Sequence, residues 1–399
     1  MSRLRTAVLA ALALLPMLSL PAPAEAHVPG VALPLKTSAQ WVVDQRGHRV
    51  KLASVNWFGA ESAEFVVGGL DKQPLDKLAR LIRQGGFNSV RLPWSNELVE
   101  SNPVVADEYL TANPRLRGKR ALSILDDVID ALGRHGLMVI LDNHRSRGDW
   151  CCDEAHGDGL WHTPAYPESA WLADWRFMAA RYRDRPQVVA AELRNEIRPD
   201  PSQGLRPTWG DGNPATDWRA ASERGGDAVL AVNPKLLIIT SGLNYQYDLK
   251  GVPTAPVRLS VPNRLVYAVH DYSWSHSAGQ LADDATFEAN VVSRWEYVRD
   301  PAKPYVAPVY VSEWGGCTQP KSDGTLCTSD RLTYPFTMAR YLAKADLDWA
   351  WWPINGTQSA GYNRVRGTVE TFGLLNPQWN GYANDELMET LRAIERPAR

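Results

Sequence analysis

Eight short apolar runs alternating with amphipathic segments predict one α/β domain, a (β/α)8 barrel of the TIM-barrel class, for residues 27–399 of this 399-residue chain. Two further observations favour it. The runs are apolar almost without interruption, as a parallel sheet buried on both faces requires. Eight strand–helix units also suit a closed barrel better than a doubly wound open sheet.

The elements follow in order. Arg3 and Arg5 precede the apolar run Ala7–Leu15, Pro16–Leu20 closes it, and Ala24-Glu25-Ala26 supplies a small-x-small cleavage pattern. Residues 1–26 are therefore expected to be a secretory signal, too short in its apolar part to remain in a bilayer. Export to the extracellular medium without membrane attachment is the expectation, with the mature chain starting near His27. Trp41–Val50 predicts a small hairpin turning at Gly47. Leu52–Val55 then leads to a helix carrying Leu75, Leu78, Leu81 and Ile82, and Val90–Leu92 to one carrying Ile124, Leu125, Val128, Ile129 and Leu132. Leu137–Leu141 precedes a helix near Trp171–Tyr182, and Val188–Leu193 one near Trp218–Val232. Leu236–Thr240 and Leu265–Val269 are further strands. Val309–Val311 leads to a helix near Tyr334–Ala345, and Asp348–Trp352 to one near Glu386–Ile394. No repeat, low-complexity tract or linker divides residues 27–399, so one catalytic domain is expected.

Lysine and arginine total 43 against 45 acidic residues. No long-range field then draws in nucleic acid or an anionic membrane, and an uncharged partner is expected. Sixteen tryptophans exceed what a core of this size needs, which raises the weight of sugar stacking, although indoles also fill cores. A monomer is expected. Cys151, Cys152, Cys317 and Cys327 allow three disulfide pairings. Cys317 with Cys327 would staple one loop, leaving Cys151 and Cys152 to bond each other or stay free. Cys151, Cys152, His156 and His162 lie close enough in the chain to suggest zinc. Their spacing lacks the paired CxxC form, and oxidising export disfavours thiolate ligands, so no metal and no cofactor are expected.

A barrel of this class carries its active site at the C-terminal ends of its strands. Those ends hold Arg91, His144, Asn195 with Glu196, His270 with Tyr272, Glu313, and Trp352. Polar groups there need partners, so one connected network is expected. Glycoside hydrolysis needs one acid to protonate the leaving oxygen and a second group to act at the anomeric carbon. Glu196 and Glu313, on the fourth and seventh strands, face each other across a barrel mouth. The bland alternative is an ion pair or a metal site.

Leu193-Arg-Asn195-Glu196 and Val311-Ser-Glu313-Trp-Gly315 resemble the acid/base and nucleophile motifs of family 5 glycoside hydrolases, the large cellulase family. Val55–Gly59, Asn88–Pro93, Ile140–His144, Leu265–Tyr272 and Gly373–Trp379 are similar to segments of its bacterial secreted endo-β-1,4-glucanases. The resemblance implies a retaining double displacement on a β-linked polysaccharide or oligosaccharide, with Glu196 as acid/base and Glu313 as nucleophile. The residue types agree. Asn195 suits the sugar 2-hydroxyl, Arg91 holds Glu313 ionised, Tyr272 donates to it, and His270 and His144 fix the network. Trp352 would be the platform under the cleaved sugar, with Trp57 a second substrate contact, while Trp351 points the other way into the core. Ile197 stands where many relatives have proline, and Trp314 where phenylalanine is common; the Trp150-Cys-Cys152 stretch after His144 is similar to a plant branch of the family. The identity of the glycan (cellulosic, mannan or β-1,3-linked) depends on loops 149–167 and 355–370. A non-catalytic glycan-binding barrel and a metal-dependent hydrolase are the competing classes.

Overall fold

The computed structural model describes residues 28–152 and 157–397. The expected export signal and His156 of the zinc alternative lie outside the described residues.

The chain opens with a short antiparallel pair, β1 (Lys36–Ser38) and β2 (Trp41–Val43). Eight parallel strands follow: β3 (Ala53–Asn56), β4 (Ser89–Ser95), β5 (Met138–Arg145), β6 (Val188–Glu192), β7 (Leu237–Ser241), β8 (Leu265–Asp271), β9 (Val309–Trp314) and β10 (Asp348–Trp351). Each pairs with the next, and β10 closes on β3 through Trp349↔Ala53 and Trp351↔Val55. The predicted closed (β/α)8 barrel is present, with all eight strands at the apolar runs.

Two details differ from expectation. The Trp41–Val50 segment turns at Gly47, whose φ of 87° suits glycine, but its first strand takes Lys36–Ser38 as its regular partner. After β7 no full crossover helix forms. Leu243–Gln246 makes one irregular turn with Asn244 and Tyr245 at positive φ, in a stretch broken by Gly251, Pro253, Pro256 and Pro262. Among the described residues, no helix is long and apolar enough to cross a membrane.

The core has two shells because successive strand residues face opposite ways. Val139, Leu141, Val269, Val311, Trp349 and Trp351 pack outward against the helices. Met138, Ile140, Ala190, Leu237, Ile239, Val266, Ala268, Tyr310 and Ala350 fill the barrel, joined by Leu35 and Val42 of the β1–β2 pair at its N-terminal end. Eleven of the sixteen tryptophans are buried to within 2 % of complete. The indole count is thus mainly a property of the core. Towards the strand C-termini the inward positions change from apolar to polar: Asn56, Arg91, Asp142, Glu192, His270 and Ser312, all buried. That change of composition within one barrel interior places the site.

Candidate active site

Arg91, fully buried on β4, organises the mouth. Its Nη1 donates to Glu313 Oε1 at 2.8 Å and to Asn56 Oδ1 at 2.9 Å. Its Nε and Nη2 form a fork on Glu192 at 2.7 and 3.1 Å, and Nη2 also donates to Asn195 Oδ1 at 2.7 Å. Asp142 Oδ2 lies 3.1 Å from the same nitrogen. A planar guanidinium with five fixed donors suits this task where an ammonium would not.

Glu313 reaches the network through a β-bulge. Val269 pairs with Val311, but His270 pairs with Glu313, and Trp349 and Trp351 pair with Val311 and Trp314. One extra residue in β9 lets Ser312 and Glu313 both serve the interior, where strict alternation would turn one outward. Ser312 Oγ donates to Glu192 and meets His270 Nε2 at 3.2 Å; Glu313 Oε2 accepts from Tyr272 at 2.9 Å.

Glu196 stands just past β6 with a left-handed φ of 44°, held by its N–H donating to Gln246 Oε1 at 2.8 Å. A non-glycine residue in that region costs on the order of 1–3 kcal/mol, a cost tolerated where the surroundings over-determine the conformation. Its carboxyl meets His270 Nδ1 at 2.8 Å and remains 16 % exposed. Oxygens of Glu196 and Glu313 lie within 4.8 Å of each other and of His270. These three groups form a possible ligand set for a cation, but the Arg91 guanidinium already occupies the Glu313 side.

Burial pushes the Glu196 and Glu313 carboxyls up to about 7 each. Arg91 and Tyr272 aim donors at Glu313 and thereby stabilise its anion, so a proton shared by the pair belongs on Glu196. Burial lowers His270 to about 4, leaving a neutral imidazole between the two acids. His144, also driven well below its ordinary value by burial, pairs its Nδ1 with Asp142 at 2.6 Å and stacks parallel to Trp352, 5.5 Å between centroids.

Beside the carboxyls Trp352, Tyr272 and Phe58 form an aromatic cluster with Trp150 and Phe372 packed against it. Trp57 is corrected: it is fully buried, its indole N–H donating to the Gly68 carbonyl at 3.0 Å, and it belongs to the outer core. Its neighbour Phe58, also fully buried, packs into the aromatic cluster instead, since adjacent residues at a strand exit face opposite ways. Trp351 is a core residue, as alternation predicts. Sequence reasoning missed Asn56, Asp142, Glu192, Gln246 and Ser312. A carboxylate inside the apolar run Val188–Leu193 was the available signal, because a buried acid there demands a cation. Cys317 bonds Cys327; Cys151 bonds Cys152, which removes those two sulfurs from the zinc alternative.

The model of the family described as cellulase, glycosyl hydrolase family 5, matches residues 43–358. An endoglucanase of Paenibacillus polymyxa is 32 % identical over 90 % of this chain and 87 % of its own length. The major extracellular endoglucanase of Xanthomonas campestris pv. campestris is 32 % identical, covering 92 % of this chain and 72 % of its own. The solved catalytic domain of that enzyme superposes with a TM-score of 0.72 at 29 % identity, over 90 % of this chain and 99 % of the domain. An endocellulase from Pyrococcus horikoshii, solved in complex with cellotetraose, superposes with a TM-score of 0.76 at 25 % identity, over 92 % of this chain and all of that one. The family match and these likenesses agree with two acids across a barrel mouth: the chain belongs to glycosyl hydrolase family 5, the cellulase family, and is an O-glycosyl hydrolase.

Proposed function

We propose that this protein is a secreted, monomeric retaining endo-β-1,4-glucanase in which residues 1–26 direct export and residues 27–399 form one catalytic domain. The observation that carries the mechanism is the unequal support of the two acids: Arg91 and Tyr272 donate to Glu313, while Glu196 faces a neutral His270. Glu313, held as the anion, attacks the anomeric carbon as the Glu196 proton passes to the leaving oxygen and the glycosidic bond breaks. A water then loses a proton to Glu196 and displaces Glu313, regenerating both groups. Asn195 hydrogen-bonds the sugar 2-hydroxyl, and Trp352 with its aromatic neighbours meets the sugar face.

The similarity to endoglucanases over most of the chain supports β-1,4-glucan as substrate, and the cellotetraose bound by the Pyrococcus enzyme supports a site for several glucose units. The test is a product profile on soluble cellulosic, mixed-linkage, β-1,3-glucan and mannan substrates. Rapid viscosity loss on the cellulosic polymer with short oligosaccharide products is expected. Preferential cleavage of mannan or β-1,3-glucan, or release of single sugars from chain ends only, overturns the specificity.

A further inference from the structure

The Cys151–Cys152 disulfide does not simply close a loop. It lies against the two consecutive residues that carry the chemistry at the β6 exit. Asn195 Nδ2 approaches Cys151 Sγ at 3.6 Å and Cys152 Sγ at 3.7 Å. The orientation of that amide is unambiguous, because the arginine Nη2 at 2.7 Å from the other end of the amide only donates, so Oδ1 must face it. The NH2 group therefore points at the sulfur pair. Both sulfurs also lie within 4.8 Å of a Glu196 carboxylate oxygen.

The supports of this contact run through the same strand exit. Arg194, directly before Asn195, donates to Asn143 Oδ1 at 3.0 Å and pairs with Asp158, whose carboxylate also accepts from the Ser146 N–H at 2.9 Å. Arg145 donates to the Trp150 carbonyl, just before the cysteines. Asn195 N–H donates to the Asn143 carbonyl at 3.0 Å. The loop bearing the disulfide and the residue it touches are thus braced on one buried group of charges. Sulfur is a weak acceptor, so the disulfide adds shape more than bond strength. It blocks rotation of the amide on one side while Arg91 holds the other.

We propose that the Cys151–Cys152 disulfide is a positioning element for catalysis: it sets the Asn195 amide so that Nδ2 meets the 2-hydroxyl of the sugar being cleaved. This rests on the assignment of Asn195 to that hydroxyl made under the proposed function.

The experiment compares 4-nitrophenyl β-cellobioside with its analogue lacking the 2-hydroxyl on the sugar at the cleaved bond. Both are assayed with wild type, Asn195→Ala, Cys151→Ala/Cys152→Ala, and the triple variant. The double-alanine variant is expected to lose about tenfold in kcat/KM on the hydroxyl substrate and less than about twofold on the deoxy analogue. In the triple variant the cysteine changes should add almost nothing to Asn195→Ala, since coupled residues lose their effect together. An equal loss on both substrates, or no loss, overturns the positioning role even if Asn195→Ala abolishes the discrimination. If Asn195→Ala itself leaves the discrimination intact, the Asn195 assignment falls and this proposal with it. Should the double-alanine variant not fold, the Cys317→Ser/Cys327→Ser protein, whose one remaining cysteine pair is Cys151–Cys152, is assayed on both substrates before and after phosphine reduction. The selective loss on the hydroxyl substrate is expected after reduction, and an unchanged ratio overturns the proposal.

Discussion

Arg91 Nη1 on β4 donates to Glu313 Oε1 on β9 at 2.8 Å across the barrel mouth. The same guanidinium holds Glu192 and Asn195 and lies 3.1 Å from Asp142, so one cation faces three carboxyl groups. Burial is the largest cause lifting Glu313; Glu196 and Asp142 add repulsion, while His270 and Arg91 oppose the rise.

Removing the cation should therefore be costly. Arg91→Met is expected to lose about 3–5 kcal/mol of stability, because Glu192 and Glu313 would remain buried without their partner. Denaturant unfolding measures this, and a loss under about 1 kcal/mol would contradict the central place given to Arg91.

Glu313→Gln keeps volume and fold while removing the proposed nucleophile. Turnover of a soluble cellulosic polymer should fall on the order of 10^4-fold or more, with an unchanged circular dichroism spectrum. Near-wild-type activity in the folded variant would remove Glu313 from the mechanism.

The two acids titrate as a pair, so activity should be bell-shaped in pH. Below the first step both carboxyls hold protons and Glu313 cannot attack; above the second neither holds one and Glu196 cannot donate. With Glu196 lifted to about 7, the alkaline limb of kcat/KM is expected near pH 7. In Glu196→Ala, assayed on an aryl glycoside whose leaving group needs no proton, that limb should disappear. Added azide should yield a glycosyl azide. An unchanged alkaline limb without azide product would count against the acid/base role.

The same lifted carboxyl makes a stability prediction. The folded value of about 7 exceeds the ordinary 4.5, so the folded protein binds more protons between those values. The contribution of Glu196 is then most favourable below about pH 4.5 and declines as pH rises through 7. Glu196→Gln should be nearly neutral in stability at pH 4.5 and stabilising at pH 8, on the order of 1–3 kcal/mol. A Tm difference from wild type that stays flat across this range would contradict the assigned burial.

The eight strands were legible because a sheet buried on both faces leaves unbroken apolar runs. His144 and Glu313 stood out at the ends of those runs. Glu192 did not, since within Val188–Leu193 it resembles an accident of composition until Arg91 is placed beside it. The bulge at Ser312 leaves no mark in the residue pattern; it appears only in the register of β9 with both neighbours. Trp57 and Phe58 show a related limit. Alternation says that only one of the two turns inward but not which, and the Gly68 carbonyl decided for Trp57. The missing helix after β7 has a signal in Gly251, Pro253, Pro256 and Pro262 that counting eight repeating units does not use.

The order in which anomers appear tests the double displacement most directly. A double displacement needs the Glu196 and Glu313 carboxyl groups about 5–5.5 Å apart, against roughly 6.5–9.5 Å for inversion, and one oxygen of each lies within 4.8 Å of the other. Proton NMR of the anomeric region during early hydrolysis of a β-glucan should show the β-anomer first, decaying to the equilibrium mixture. Initial appearance of the α-anomer would contradict the mechanism even if both glutamates proved essential.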